Sequence, residues 1–221
     1  MGSKNKNIIR YLKQTQEIFG DELFLDKNSI EHKKNTNAKS DLESFNIEIN
    51  ECQKCQLGKT RTKFVFGVGD PQANLLLVGE APGAKEDELG EPFVGRAGKL
   101  LDKILLAIGR SRNNDVYICN VIKCRPPNNR DPLSSEVEQC EPYLLKQIEI
   151  MRPKLIVALG RVAGMTLLKI EEPLKNMRGK LHDYNGTPLI VTYHPAALLR
   201  NSNFKPPTWE DFKWIRSILD K

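Results

Sequence analysis

Four short aliphatic runs constrain the fold of this chain more than any other feature of its sequence. They lie at 75–78, 116–119, 155–159 and 189–192. Segments with helical periodicity separate or follow them, near 97–108, 134–151, 161–168 and 208–219, and the last begins at Thr208 as a candidate N-cap. Continuous apolar runs joined by crossover helices are typical of parallel strands buried on both faces. The sequence therefore predicts an α/β fold, a three-layer α/β/α arrangement with a central, mostly parallel four-stranded sheet.

Polar or glycine-containing segments come at the ends of three of these runs. Gly79-Glu80-Ala81-Pro82-Gly83 follows the first run, Asn120 the second, and His194-Pro195 lies just beyond the fourth. In open parallel sheets, ligands bind outside the carboxyl ends of the strands. We therefore expect the functional site to gather these three segments at one edge of the sheet.

The first fifty residues differ in character from the rest of the chain. Ile8, Ile9, Leu12 and Ile18 recur at roughly helical spacing, and the stretch 26–44 is polar and charged. The sequence predicts an N-terminal helical extension over 1–50, with a short amphipathic helix and a flexible linker, and one globular domain over 51–221. A solvated extension without chemistry and a helix that docks a replication or repair partner both remain open.

The net charge of +6 lies entirely after residue 50, because the first fifty residues carry eight basic and eight acidic side chains. A basic domain suits a polyanionic partner, since each neutralised phosphate releases counterions. An ordinary basic surface is the alternative. No stretch reaches the roughly 20 apolar residues of a membrane span, and the start of the chain lacks the apolar region of a secretory signal. We expect a soluble, cytoplasmic protein without a membrane partner.

Four of the five cysteines are spaced as metal ligands. Cys52 and Cys55 form a C-x2-C pair, and Cys124 and Cys140 follow further along the chain. Four thiolates can hold a zinc ion or a four-iron, four-sulfur cluster, and the spacing does not choose between them; unrelated buried thiols are the third interpretation. Cys119 lies inside an apolar run and is predicted to be a core residue.

Either metal would join the segment before the first run to the region after the second, which indicates a structural role. The stretch between Cys124 and Cys140 begins Arg125-Pro-Pro-Asn-Asn-Arg130. It would then be a pinned, basic loop placed to lie on phosphates.

The segment 79–101 leaves a strand through a Gly/Pro turn and enters a helix, which aims backbone N–H groups and carboxylates at a ligand. It carries Glu80, Glu86, Asp87 and Phe93. Phe93 can stack on a flat ring or anchor the loop, and the sequence supports both interpretations equally.

His194 and Asn120 are the polar side chains best placed for chemistry, since each comes at a strand end. The Asn120 amide offers a donor and an acceptor, the combination that reads a nucleobase edge. After His194 come Leu198, Leu199 and Arg200, an apolar wedge beside a cation. Core packing of these leucines is the alternative.

Taken together, these motifs resemble the uracil-DNA glycosylase superfamily, and specifically its iron–sulfur branch, family four. The resemblance covers about 170 residues, everything from the first cysteine pair onward, and is carried by GEAPG (79–83), GEPFVGRAGKLL (90–101), NVIKCRPPNNR (120–130), HPAALLR (194–200) and the cysteines at 52, 55, 124 and 140. It implies that 51–221 is a catalytic domain, a monomer that releases uracil from DNA as the first step of base excision repair. It also implies one structural 4Fe-4S cluster.

The resemblance further implies roles for the residues that bind the flipped nucleotide. Asn120 would read uracil against cytosine, Phe93 would stack on the base, and Glu86 would exclude the C5 methyl of thymine. Contact with the surrounding DNA would come from Leu198, Leu199, Arg200, Arg125 and Arg130.

For catalysis, His194 and the backbone N–H of Ala81 would stabilise the charge that develops on uracil O2. Glu80 stands where a related branch uses an aspartate, and it would position the attacking water. Two other classes stay open at this point: a non-catalytic nucleic-acid-binding module, and an electron-transfer protein, which would need a second redox centre.

Overall fold

Six strands form one sheet at the centre of the computed structural model, which describes residues 34–221. They are β1 (Val68–Gly69), β2 (Leu75–Gly79), β3 (Val116–Asn120), β4 (Leu155–Leu159), β5 (His182–Tyr184) and β6 (Thr187–Thr192), in the spatial order β1-β3-β2-β4-β6-β5. The four central strands are parallel, and β1 and β5 pair antiparallel at the edges. The α/β prediction is confirmed, and the four predicted runs are the four parallel strands.

The predicted strand count of four is too low because β1 and β5 carry no continuous apolar run. They are two and three residues long and partly exposed, and each is defined by its pairing with a longer strand. By contrast, every residue of β2, β3 and β4 is buried, so these strands are visible in the sequence alone.

The helices cover both faces of the sheet. They are α1 (Ala38–Ile49), α2 (Leu57–Thr60), α3 (Ala84–Leu89), α4 (Arg96–Ala107), α5 (Ser134–Met151), α6 (Arg161–Leu168), α7 (Leu174–Met177), α8 (Pro195–Arg200) and α9 (Lys205–Leu219). One apolar cluster joins α4 and α9 to the sheet through residues such as Leu101, Leu105 and Phe212. The other joins α1, α5 and α6, for example through Leu144 and Ala163. Two cores on opposite faces confirm the three-layer arrangement.

The register of the parallel strands brings the predicted site segments together. Gly79, the last residue of β2, lies opposite Asn120, the last residue of β3. Beyond the strands, the N–H of Val121 donates to the carbonyl of Gly79 at 2.9 Å, and that of Ile122 to the carbonyl of Glu80 at 3.2 Å. The two strand ends therefore leave the sheet side by side.

The flexible linker predicted over 26–44 is wrong for its last residues, which belong to α1. Ala38, Leu42 and Ile49 are buried in the core and lie along one stripe of this helix. The charged residues between them hid the helical spacing in the sequence. The short helix predicted over 4–19 and the first part of the linker lie outside the described residues, and the division at residue 50 stays a prediction.

The last helix begins at Lys205, three residues before the N-cap predicted at Thr208. Pro206 and Pro207 fit its first turn, where backbone N–H groups have no helical partner. The Thr208 hydroxyl instead donates to the Phe204 carbonyl at 2.6 Å. Within residues 34–221, no helix is long and apolar enough to cross a membrane.

Candidate active site

A pocket of about 410 Å³ lies at the carboxyl ends of the parallel strands. It is lined by Ala81, Gly83, Glu86, Phe93, Ala97, Asn120, Asn129, His194, Ala196 and Arg200. Six of the site residues predicted from the sequence are therefore brought together: Ala81, Glu86, Phe93, Asn120, His194 and Arg200. Their roles remain to be argued from chemistry.

Asn120 supplies the pocket with an unsatisfied acceptor. Its side chain is buried, with 1% exposure, and its Oδ1 has no hydrogen-bond partner among residues 34–221. A buried amide oxygen without a partner is costly, about 1–3 kcal/mol, unless a ligand pairs with it. Space beside it is left by Gly79, where a Cβ would collide with this oxygen and lie 2.7 Å from Cζ of Phe93.

Phe93 and His194 form one aromatic wall of the pocket. Their ring centroids are 5.4 Å apart and the planes make an angle of 30°. Phe93 has a φ of 54°, a left-handed conformation that is unfavourable for a bulky residue. Arg112 compensates by donating to the carbonyl of Phe93 at 2.9 Å and to that of Pro92 at 3.2 Å. The backbone is thus held in the conformation that turns the ring toward the pocket.

His194 is a neutral imidazole whose tautomer is set by the start of α8. Its Nδ1 accepts from the N–H of Ala196 at 3.1 Å, so the ring proton resides on Nε2. Burial, and to a smaller extent the charge of Arg200, lower the pKa of His194 to about 4, and Glu86 opposes this shift. Near neutral pH the ring is an uncharged hydrogen-bond donor.

Glu86 ties the loop that carries Phe93 to helix α3. Its Oε1 accepts from the N–H groups of Val94 and Gly95, both at 3.0 Å. These donors lie at the start of α4, where the helix leaves N–H groups unpaired. The carboxylate that lines the pocket is consequently fixed in position.

Glu80, directly after β2, is a half-buried carboxyl group beside a pair of opposite charges. Burial raises the pKa of Glu80 to about 7; Asp131 adds to the rise, and Arg161 opposes it. Asp131 and Arg161 themselves form a long ion pair of 3.8 Å. The carboxyl group therefore changes its charge near neutral pH.

The structure buries Leu198, one of the two leucines of the predicted wedge, and exposes Leu199. Leu198 has 4% of its surface accessible and Leu199 has 43%. Adjacent residues on a helix point about 100° apart, so two neighbouring leucines can differ in exposure, and here Leu198 packs inward while Leu199 faces solvent. A wedge that enters DNA would have to be Leu199.

The two arginines of the basic loop are engaged within the protein. The Nε of Arg125 donates to Oδ1 of Asn129 at 2.8 Å. Arg130 binds both carboxylate oxygens of Glu136, at 2.9 and 2.6 Å, and so anchors the start of α5. Contact of either arginine with DNA stays a prediction.

Cys52, Cys55, Cys124 and Cys140 are free thiols, each at the surface of the same region of the fold or just below it. Burial raises the pKa of Cys124, Arg61 opposes the rise, and the Cys55 and Cys52 thiols add to it. Burial likewise raises the pKa of Cys140 to about 12. Lys123 opposes this rise, and the Cys124 and Cys55 thiols add to it. The four thiols are therefore electrostatic neighbours, although no three His, Cys, Asp or Glu side chains in the described part of the chain are arranged to hold one metal ion.

Three sulfur atoms accept hydrogen bonds from neighbouring groups. Arg61 donates to Cys124 at 3.3 Å, the Tyr143 hydroxyl to Cys52 at 3.2 Å, and the Lys123 N–H to Cys140 at 3.3 Å. Cys119 lies fully buried within β3, as predicted.

Asn129 and Gly79 shape the pocket but were missed from the sequence. Asn129 has a φ of 53° and follows Pro126-Pro127-Asn128, so its sequence context signals a turn and nothing more. Gly79 was visible only as part of a Gly/Pro turn, and its closeness to Asn120 depends on strand register.

Comparison with known proteins gives a consistent result. The sequence model of the family described as the uracil DNA glycosylase superfamily matches residues 66–213. The Type-4 uracil-DNA glycosylase of Archaeoglobus fulgidus is 46% identical over 182 residues, which are 79% of this chain and 91% of the relative. The enzyme of the same name from Thermotoga maritima is 41% identical, over 81% of this chain and 95% of its own. A Type-5 uracil-DNA glycosylase of Pyrobaculum aerophilum is 33% identical, over 61% and 66% respectively.

Proposed function

Because the chain belongs to the uracil DNA glycosylase superfamily, and within it to the type-4 branch, we propose that it hydrolyses the N-glycosidic bond of deoxyuridine in DNA. The products are free uracil and an abasic site, as in the first step of base excision repair. The observation that carries this proposal is the buried Oδ1 of Asn120, which has no hydrogen-bond partner among residues 34–221, in a pocket with an aromatic wall.

Base recognition rests on the Asn120 amide. Its oxygen accepts from uracil N3–H, and its nitrogen donates to O4. Cytosine presents the reversed pattern, with an acceptor at N3 and an amino group at C4, so it leaves both buried groups of the amide unpaired. The target nucleotide must first leave the base stack, because the bond to be broken is inaccessible in a duplex.

Stacking and steric exclusion complete the recognition. Phe93 stacks on the flipped base, a contact worth about 1–3 kcal/mol in comparable systems. Glu86 blocks the space of a C5 methyl group and so rejects thymine. Its two hydrogen bonds to Val94 and Gly95 support this role, since they prevent the carboxylate from moving aside.

Bond cleavage depends on donors aimed at uracil O2, where negative charge accumulates. The Nε2–H of neutral His194 donates to this oxygen, together with the backbone N–H of Ala81. Loss of one donor of this kind costs about 10²–10³ in rate in other enzymes. The bond between Ala196 N–H and Nδ1 supports the assignment, because it holds the proton on Nε2.

The sugar cation that forms is attacked by water, which Glu80 orients as a carboxylate. Its position directly after β2, next to Ala81, supports this role. Leu199 enters the space of the flipped nucleotide, and Arg200, at the edge of the pocket, binds a nearby phosphate. DNA is thus the macromolecular partner of the site.

Cys52, Cys55, Cys124 and Cys140 would hold a four-iron, four-sulfur cluster. The donor set fits: besides burial, neighbouring thiols of the set raise the pKa of Cys124 and of Cys140, and N–H and O–H donors are directed at three of the sulfurs, as is common around cluster thiolates. When bound, the cluster would cross-link the chain, and hydrolysis needs no electron transfer from it.

The test is release of free uracil from a labelled oligonucleotide that contains one deoxyuridine, single- and double-stranded. We expect release by the natural protein and a loss of about 10²-fold or more in His194→Ala and Asn120→Ala, the range found for removed transition-state donors. His182→Ala is the matched control, since this histidine lies in edge strand β5 and its Nε2 is 2.7 Å from the Met177 carbonyl oxygen. An intact protein that binds DNA but releases no uracil would favour the binding module instead.

A further inference from the structure

Lys123 is a fully buried lysine for which residues 34–221 supply no carboxylate ion pair. Its Nζ donates to the Asn120 carbonyl at 2.8 Å and to Oε1 of Gln147 at 2.6 Å. A buried lysine bound only by neutral groups within the described residues is costly, and an apolar residue of similar size would avoid that cost. Its presence needs a reason other than packing.

The other end of this network is fixed in the core. Gln147 is also fully buried, and its Nε2 donates to the Phe66 carbonyl at 3.0 Å. The Lys123 carbonyl accepts from the N–H of Val65 at 2.9 Å. Lys123 is therefore held between helix α5 and the segment before β1, and its amine donates a hydrogen bond to Asn120, the last residue of β3.

The same residue faces the cysteines. Its N–H donates to Cys140 Sγ at 3.3 Å, and Cys124 is the next residue in the chain. An anionic group held by the four cysteines would thus lie within one residue of a buried lysine that has no carboxylate partner among residues 34–221.

We infer that Lys123 is a positioning residue that couples the four-cysteine region to base recognition. Its buried ammonium holds the Asn120 carbonyl, and thereby the orientation in which the Asn120 amide meets uracil, while the anionic cluster stabilises the ammonium. This inference rests on the proposed function, because it requires Asn120 to read the base and the cysteines to hold the cluster.

The test is a double-mutant cycle with Lys123→Met, which shortens the side chain by one atom and removes its amine, and Asn120→Ala. Single-turnover uracil release is measured with excess enzyme. A second measurement compares the affinity for DNA that carries an uncleavable 2′-fluoro-deoxyuridine with the affinity for undamaged DNA. In the natural background we expect Lys123→Met to lower release and uracil-specific affinity by about 10- to 100-fold, the range for residues that share one hydrogen-bond network. In the Asn120→Ala background we expect less than about a twofold further change.

A lysine that only supports the fold would give equal losses in both backgrounds, and that result would overturn the inference, as would unchanged release in Lys123→Met. If Lys123→Met does not fold, Gln147→Met removes one acceptor of the ammonium and takes its place in the same cycle. Iron content and visible absorbance provide a readout apart from activity: Lys123→Met should lose its cluster faster than the natural protein under ferricyanide. Uracil release by the natural protein, and its loss in Asn120→Ala, are measured in the same series, so failure of the proposed function is recognised separately.

Discussion

Burial shifts the pKa values of His194 and Glu80, the two titratable side chains of the proposed chemistry, in opposite directions. The reason is that a low-dielectric environment disfavours the charged form of either side chain. It lowers the pKa of His194 to about 4 and raises that of Glu80 to about 7. Above pH 7 the proposed site would therefore combine a neutral donor with a carboxylate from Glu80, which lies directly after β2 and is not among the residues that line the pocket. This is the pairing that oxyanion stabilisation and water orientation require.

The first prediction concerns the pH dependence of uracil release. Glu80 is protonated below its pKa of about 7 and cannot orient water, so the rate should rise with pH and level off above about 8. At pH 6, one unit below the pKa, we expect about one tenth of the plateau rate. Titration of His194 should cause no second change in the rate between pH 5 and 9, since its pKa is about 4. Single-turnover release across this range is the measurement.

Three variants identify the titrating group. Glu80→Gln should be slow and show no rise with pH. Asp131→Asn removes a charge that raises the pKa of Glu80, so the midpoint should move to lower pH; Arg161→Gln should move it to higher pH. A midpoint that is unchanged in both charge variants would assign the titration to another group.

At the scale of the elements, the pocket exists because two parallel strands end in register with a glycine opposite the asparagine. We predict that Gly79→Ala abolishes uracil release with little effect on folding. The new Cβ would collide with Asn120 Oδ1 and approach Cζ of Phe93, two side-chain groups that can move away from it but only into the space of the base.

Gly109→Ala separates this effect from a loss of stability. Gly109 has a φ of 74°, and no atom of the described part of the chain lies within 4 Å of an added Cβ, so alanine there strains the backbone by about 1–2 kcal/mol without touching the pocket. Release at a temperature where both variants are folded should be retained in Gly109→Ala and lost in Gly79→Ala. Equal activity of the two variants would refute the steric argument.

The same elements show what local sequence can reveal. Strands β2, β3, β4 and β6 were predictable because burial on both faces makes them continuous apolar runs, and their ends pointed to Asn120 and His194. Helix α1 was not predictable from the sequence, since its buried stripe is narrow and its other faces are charged. The choice between Leu198 and Leu199 depends on how α8 packs, and the closeness of Lys123 to Asn120 and Cys140 depends on contacts across the fold. Such contacts leave no periodic signal in the chain.

At the scale of the whole molecule, the four cysteines of the proposed cluster come from three parts of the chain that the sheet alone does not hold. Cys52 and Cys55 precede α2, Cys124 follows β3, and Cys140 lies within α5. Their hydrogen-bond partners come from the same parts: Arg61 contacts Cys124 and the carbonyl of Cys52, and Tyr143 of α5 contacts Cys52. A cluster here would therefore stabilise the side of the fold on which Lys123 supports Asn120.

We predict that Cys140→Ala yields a protein that binds little iron, lacks the brown colour and unfolds at a temperature lower by at least about 5 °C, since 1 kcal/mol corresponds to about 2–4 °C in a domain of this size. Uracil release should fall with iron content, because the end of β3 loses its support. Cys119→Ala is the matched control: Cys119 is buried within β3 and should leave iron and colour unchanged. Full iron content in Cys140→Ala, or loss of iron in Cys119→Ala, would show that the ligand set is different. The proposed route by which the cysteines support the pocket would then be wrong as well.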